Sequence, residues 1–172
     1  REHGVKIIVV DPRKTPTATL ADIHLQLRPG TDGALALAMA NVIINEKIYD
    51  RDFVAGYTCG FDEFKEYVQL FTPEKGEDLT GVPADLIREA ARMYAKIKPA
   101  AIMPSASPVV HHTNGVQNYR AVFCLAGLTG NYDIRGGNIA VPPSFIHSPG
   151  LIPTREHEFV QSRPWSEMPP RL

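Results

Sequence analysis

The run Val5-Lys6-Ile7-Ile8-Val9-Val10 constrains this chain more than any other stretch. β-Branched residues stand together with so little polar alternation where a strand is covered on both faces, as in a parallel sheet packed between helices. The run ends at Asp11-Pro12-Arg13, because proline has no N–H to extend a ladder. Residues 21–28 alternate instead: Ile23, Leu25 and Leu27 stand against Asp22, His24, Gln26 and Arg28. That period predicts a second, half-buried strand. Residues 100–103 predict a third.

Helical patterns separate these strands. Pro29-Gly30-Thr31-Asp32 is a turn into residues 33–45, which are apolar almost all round and predict a buried helix. Asp50 caps a short helix through Val54. Residues 61–71 carry an apolar stripe at helical spacing, and Thr72-Pro73-Glu74 starts another helix. Residues 83–98 are the clearest amphipathic helix, with Leu86, Ile87, Ala90, Ala91, Met93 and Tyr94 on its apolar side. Residues 114–127 predict a helix that turns Val116, Tyr119, Val122, Phe123 and Leu125 toward the core. Residues 15–19 read as polar and irregular, and 105–112 as a loop. The fold class is therefore α/β with a mostly parallel sheet flanked by helices.

From Pro142 onward the character changes, with seven of the fifteen prolines and no sustained period. We read a division into a domain over 1–141 and a Pro-rich extended arm over 142–172 that leads to a further domain. The chain opens at Arg1 and enters a strand almost at once, so it is expected to be a piece of a longer polypeptide.

Composition removes several function classes. The 172 residues are 44% apolar and 22% charged, which excludes disorder for the bulk of the chain. With 18 Lys plus Arg against 19 Asp plus Glu, the net charge of -1 lacks the footprint of a nucleic-acid binder or a polybasic membrane module. No apolar run approaches the ~20 residues of a membrane-spanning helix, so no direct membrane insertion is expected. The compartment is left open. Cys59 and Cys124 are far apart and form no CxxC, which argues against a disulfide scaffold, a zinc ribbon or an iron–sulfur cluster held by these residues. They read as two buried, reduced thiols.

In a parallel sheet, ligands bind at the carboxyl ends of strands. That selects Asp11-Pro12-Arg13, Gly30-Thr31-Asp32 and the 105–112 loop. A carboxylate past a strand can accept from a ribose hydroxyl, or take two hydrogen bonds from the adjacent donors of guanine. Asp32 has a plainer role as the N-cap of the helix that follows, and Asp11 as the first residue of an Asp-Pro turn. Arg13 reads as a solvated charge or a phosphate partner. Neither GxGxxG nor a glycine-rich loop ending in Lys-Ser/Thr occurs. His111 and His112 are neighbours and point apart in an extended segment, so they make poor joint metal ligands. One could face a pocket while the other packs. The residues thus describe a nucleotide- or cofactor-binding domain without an evident catalytic group.

The motifs Val9-Val10-Asp11-Pro12-Arg13-Lys14-Thr15, Ala21-Asp22 and Arg28-Pro29-Gly30-Thr31-Asp32-Gly33-Ala34 closely resemble the molybdopterin oxidoreductases of the dimethyl-sulfoxide-reductase class. The likeness continues through Asp50-x-Asp52-Phe53-Val54, Tyr57-Thr58-x-Gly60-Phe61, Thr72-Pro73-Glu74, Thr80-Gly81-Val82-Pro83 and Ala90-Ala91-Arg92-x-Tyr94-Ala95. It closes with Leu128-Thr129-Gly130-Asn131 and Gly136-Gly137. Their order and spacing together carry the match.

The resemblance implies a Rossmann-like domain in the catalytic subunit of an enzyme that holds molybdenum or tungsten between two molybdopterin guanine dinucleotides. By position, Asp11, Pro12, Arg13, Gly30, Thr31 and Asp32 would line the guanosine end of one dinucleotide. The loop with Ser107 and His111 would approach the pterin and metal. His111 would stand where related enzymes have glutamine, with His112 pointing into the protein. The resemblance also implies that the metal ligand and an iron–sulfur cluster belong to an upstream region. The expected partners are the remainder of the same subunit and an iron–sulfur electron-transfer subunit. The same fold also serves a pterin-free structural role in the large iron–sulfur subunit of respiratory complex I. The retention of both Asp11 and Asp32 favours the enzyme.

Two departures bear on substrate. Formate dehydrogenases and periplasmic nitrate reductases of this class read Met-Gly-Val-Thr/Asn-Gln where this chain has Ser107-Pro108-Val109-Val110-His111. Formate dehydrogenases also carry an arginine soon after the glycine pair, where Gly137 is followed here by Asn138-Ile139-Ala140-Val141. Both weigh against formate or nitrate.

Overall fold

The computed structural model describes residues 4–105 and 111–139. The expected arm over 142–172 and Ser107 lie outside the described residues. The elements run β1 (Ile8–Val10), α1 (Pro16–Leu20), β2 (Ile23–Leu25), α2 (Asp32–Asn45), α3 (Arg51–Tyr57), α4 (Phe61–Tyr67), α5 (Pro73–Thr80), α6 (Ala84–Lys96) and α7 (Gly115–Thr129). A 3-10 turn, Val68–Leu70, continues α4. The class is α/β, mostly helical with a small parallel sheet.

β1 and β2 pair in parallel, with Ile8 opposite Ile23 and Val10 opposite Leu25. The alternation of β2 is realised: Ile23, Leu25 and Leu27 are buried, while Gln26 and Arg28 are exposed. β1 departs from expectation. Val5 is 62% exposed and Val10 46%, and Ile8 is only partly buried. The strand has a single ladder partner among the described residues, so only one of its edges is paired.

The helix α2 is the centre of the core. Leu35, Ala36 and residues 38–44 are buried because α5, α6 and α7 all pack on it, and Leu37 is partly covered. Small residues set the spacing. A Cβ on Gly76 of α5 would lie 2.7 Å from the Ala38 Cβ and 3.0 Å from the Ile87 Cδ1. A Cβ on Gly33 would lie 3.1 Å from the Asn118 Cα of α7.

Close approach also explains a rotated face. α7 is expected to turn Val116, Tyr119, Val122, Phe123 and Leu125 toward the core. Leu125 is buried and Val122 packs partly against the core, but Tyr119 and Phe123 are only partly covered, Val116 is 66% exposed, and the rest of the buried face is Gly115, Asn118, Ala121, Ala126, Leu128 and Thr129. The short side chains let the two helix axes approach. α6 follows its pattern, with Ile87, Ala90, Ala91 and Tyr94 buried.

Three further expectations need correction. Residues 15–19 are not irregular: Thr15 accepts from the Ala18 N–H and Pro16 opens α1. That is the same Thr-Pro start that opens α5, where Thr72 accepts from the Lys75 N–H. Residues 100–103 form no ladder strand. Asparagine amides stand in for the missing neighbour: Asn131 Oδ1 accepts from the Ala100 N–H at 3.0 Å. Asn138 both accepts from the Ile102 N–H at 2.9 Å and donates to its carbonyl at 2.8 Å. Cys59 is exposed rather than buried. Cys124 is partly covered, and burial pushes its thiol up. No helix among the described residues is long and apolar enough to cross a membrane.

Candidate functional site

Two turns lie at the carboxyl ends of the paired strands. At the end of β1, the Asp11 N–H still donates to the Leu25 carbonyl at 3.2 Å. The Asp11 Oδ1 then accepts from the Arg13 N–H at 2.7 Å, so this carboxylate closes its own Asx turn. The polar face of β2 fixes that turn from the side. His24 Nε2 meets the Asp11 carbonyl at 2.9 Å, and Gln26 donates to the Pro12 carbonyl at 2.9 Å. The Arg13 side chain is 83% exposed and sits 3.9 Å from Asp11, a loose pairing that leaves it free to reach outward.

The turn after β2 is tighter. Thr31 donates its hydroxyl to the Arg28 carbonyl at 2.6 Å and its N–H to the same oxygen at 3.3 Å. Gly30 stands at φ +83, a left-handed conformation that glycine adopts without steric cost. The sequence reading of Asp32 as N-cap is corrected here. Thr31 occupies the N-cap position, and its side chain, held by Arg28, does not cap. Asp32 is the first residue of α2.

Asp32 is the unusual group. Its side chain is half-buried, and burial raises its carboxyl above the ordinary range, opposed by its own backbone N–H and by the neighbouring His112. It makes no hydrogen bond or ion pair to another side chain among the described residues. Asp50 shows the contrast: its carboxylate caps the Phe53 N–H at 3.0 Å and holds Lys98 Nζ at 2.9 Å.

The segment before α7 completes the corner. His111 and His112 are both exposed. It is the His112 ring that lies on Gly30, with Nδ1 3.2 Å from where a Cβ would stand. His112 therefore does not point into the protein as expected. Asn118, 2% exposed, donates to the Gly30 carbonyl at 3.3 Å. The structure thus brings Gly30, Thr31, Asp32, His112 and Asn118 together, with Asp11, Pro12 and Arg13 on the adjacent strand end. Sequence reasoning missed Asn118. Its only signal is a polar residue where the helix turns toward the core.

The described residues contain no group of His, Cys, Asp and Glu able to hold a metal ion. An open groove of about 630 Å³, lined by Ile44, Tyr49, Val54, Cys59 and Phe61 among others, lies at the other end of α2 and shares no residue with this corner.

A family model described as "Molybdopterin oxidoreductase" matches residues 1–147. The chain is 50% identical over 131 residues to formate dehydrogenase H of Escherichia coli, covering 76% of this chain and 18% of that protein. It is 41% identical over 163 residues to the acetylene hydratase of Syntrophotalea acetylenica, covering 95% of this chain and 22% of the relative. Among solved structures, acetylene hydratase from Pelobacter acetylenicus superposes with a TM-score of 0.72 at 46% identity, over 75% of this chain and 18% of that one. The chain therefore spans about a fifth of the length of these relatives.

Proposed function

This chain belongs to the molybdopterin oxidoreductase family, and from that premise we propose that the corner of Gly30, Thr31 and Asp32 grips the guanosine end of a molybdopterin guanine dinucleotide. The family implies a pterin cofactor carrying molybdenum or tungsten, and this segment is a piece of such an oxidoreductase's catalytic subunit. The observation that carries the finer reading is the half-buried carboxylate of Asp32, which makes no hydrogen bond or ion pair to another side chain among the described residues. Guanine presents two adjacent N–H donors on its Watson–Crick edge, and a carboxylate takes both at once. Partial burial strengthens that pairing by thinning the competing water. The missing side chain of Gly30 leaves room for the His112 ring beside the turn, with Nδ1 3.2 Å from where a Cβ would stand.

The metal–pterin group supplies the redox chemistry when bound, and the residues of this chain bind and orient it. Asp11, Pro12 and Arg13 line the neighbouring turn, with the exposed Arg13 guanidinium available to an anionic part of the cofactor. Ser107 and His111 are assigned to the side nearer the pterin and metal. In the whole protein we place this domain, residues 1–141, opposite a further domain that completes a second dinucleotide site. The residues 142–172 lead toward that domain. An upstream iron–sulfur cluster and an iron–sulfur partner subunit would carry electrons. The departures at 107–111 and after Gly137 weigh against formate and nitrate as substrates.

The test uses the full-length enzyme. Asp32→Ala is expected to lower guanine and metal content per polypeptide while leaving the thermal midpoint within a few degrees of the parent. Guanine and metal content equal to the parent's would defeat the assignment.

A further inference from the structure

We propose that Asn118 is a positioning residue for the dinucleotide site, acting through the Gly30 carbonyl rather than on the ligand itself. The inference rests on the reading of Asp32 as the guanine acceptor.

The turn between β2 and α2 is held from two sides. On one side Arg28 anchors it to the end of α5. Its guanidinium donates to the Asp78 carbonyl at 2.7 Å and the Leu79 carbonyl at 3.2 Å, and its N–H donates to the Thr80 carbonyl at 2.8 Å. A cation on the terminal carbonyls of a helix is well placed. Thr31 in turn hangs on the Arg28 carbonyl. On the other side the His112 ring packs against Gly30, and Asn118 reaches across from α7 to donate to the Gly30 carbonyl. Asn118 is 2% exposed and its backbone lies against Gly33, so its amide is held in place by packing. A buried amide costs stability unless a partner uses it. The partner here is the Gly30 carbonyl, in the turn between Arg28 and Asp32. Asn118 thus fixes the pitch of the turn and, with it, the direction in which the first residue of α2 presents its carboxylate.

The experiment compares the full-length enzyme bearing Asp32→Ala, Asn118→Ala, or both. Guanine per polypeptide is measured after purification, with hydrogen exchange of the Gly30 to Asp32 amides as the second readout. Asn118→Ala should weaken guanine retention about fivefold, the effect of one ordinary hydrogen bond, and should speed exchange in residues 30–32 with little change in α6. In the Asp32→Ala background it should add little, because the two act as one unit. If Asp32→Ala lowers guanine content and Asn118→Ala leaves both content and local exchange unchanged, the positioning role is wrong. Full additivity in the double variant would also overturn it, since Asn118 would then act independently of Asp32. Unchanged content in Asp32→Ala sinks the underlying site assignment instead.

Discussion

Two aspartates show how differently one residue type can be used in this fold. Asp50 is engaged on all sides: the Lys98 ammonium and the Phe53 N–H hold its carboxyl below the usual range. Asp32 is only half-buried and engaged by little but its own N–H, so burial wins and its carboxyl rises. The signs of the pH effects follow. For Asp32 the folded chain favours the neutral acid, so this group's contribution to stability falls as pH rises from its unfolded pKa through the raised folded one. Guanine needs the ionised form, so cofactor retention should fall as pH drops through that same raised pKa. Asp32→Asn should flatten both trends, which cofactor release and thermal melts followed over the acid range will check. A release profile in Asp32→Asn identical to the parent's would assign the titration to another group. Local signals made part of this legible. Asp50 was readable as a cap because a short helix follows it directly. Asp32 was misread as a cap because Thr31, one residue earlier, takes that position while its hydroxyl bonds backward to Arg28.

At the scale of elements, close contact between helices governs the core. Gly76 is where α5 meets α2 and α6, and both neighbours there are buried and short of room to move. Gly76→Ala should therefore destabilise the domain by about 1–3 kcal/mol, the usual cost of overpacking, despite the higher helix propensity of alanine. Chemical denaturation of the purified protein checks this, and a neutral or stabilising result would mean that α5 can slide away from α2. The same closeness explains which helices were legible. The 83–98 pattern announced α6 correctly because its buried face is both apolar and periodic. The face of α7 was not readable from hydrophobicity, since Ala121, Ala126 and Gly115 go inward and Val116 goes out. Residues 100–103 read as a strand because Ala100-Ala101-Ile102-Met103 is a short apolar run after Pro99. Their backbone is satisfied by Asn131 and Asn138 instead of a ladder, and side-chain amides thirty residues away leave no mark on local sequence.

For the molecule as a whole, one helical core around α2 carries a short parallel sheet whose strand ends converge on one edge. Family membership was legible because many weak motifs recur in fixed order, from Asp11 to Gly137. The assembly of the corner was not, because His112 and Asn118 reach Gly30 across about eighty residues of intervening chain. The central claim is that Asp32 receives guanine. The most direct test is a structure of the loaded full-length enzyme, in which the distance from the Asp32 carboxylate to the guanine N1 and N2 atoms is read. The account predicts both at about 2.7–3.2 Å, the range of a charged bidentate pair. A guanine ring beyond hydrogen-bond reach of Asp32, with its edge held by another loop, would contradict it.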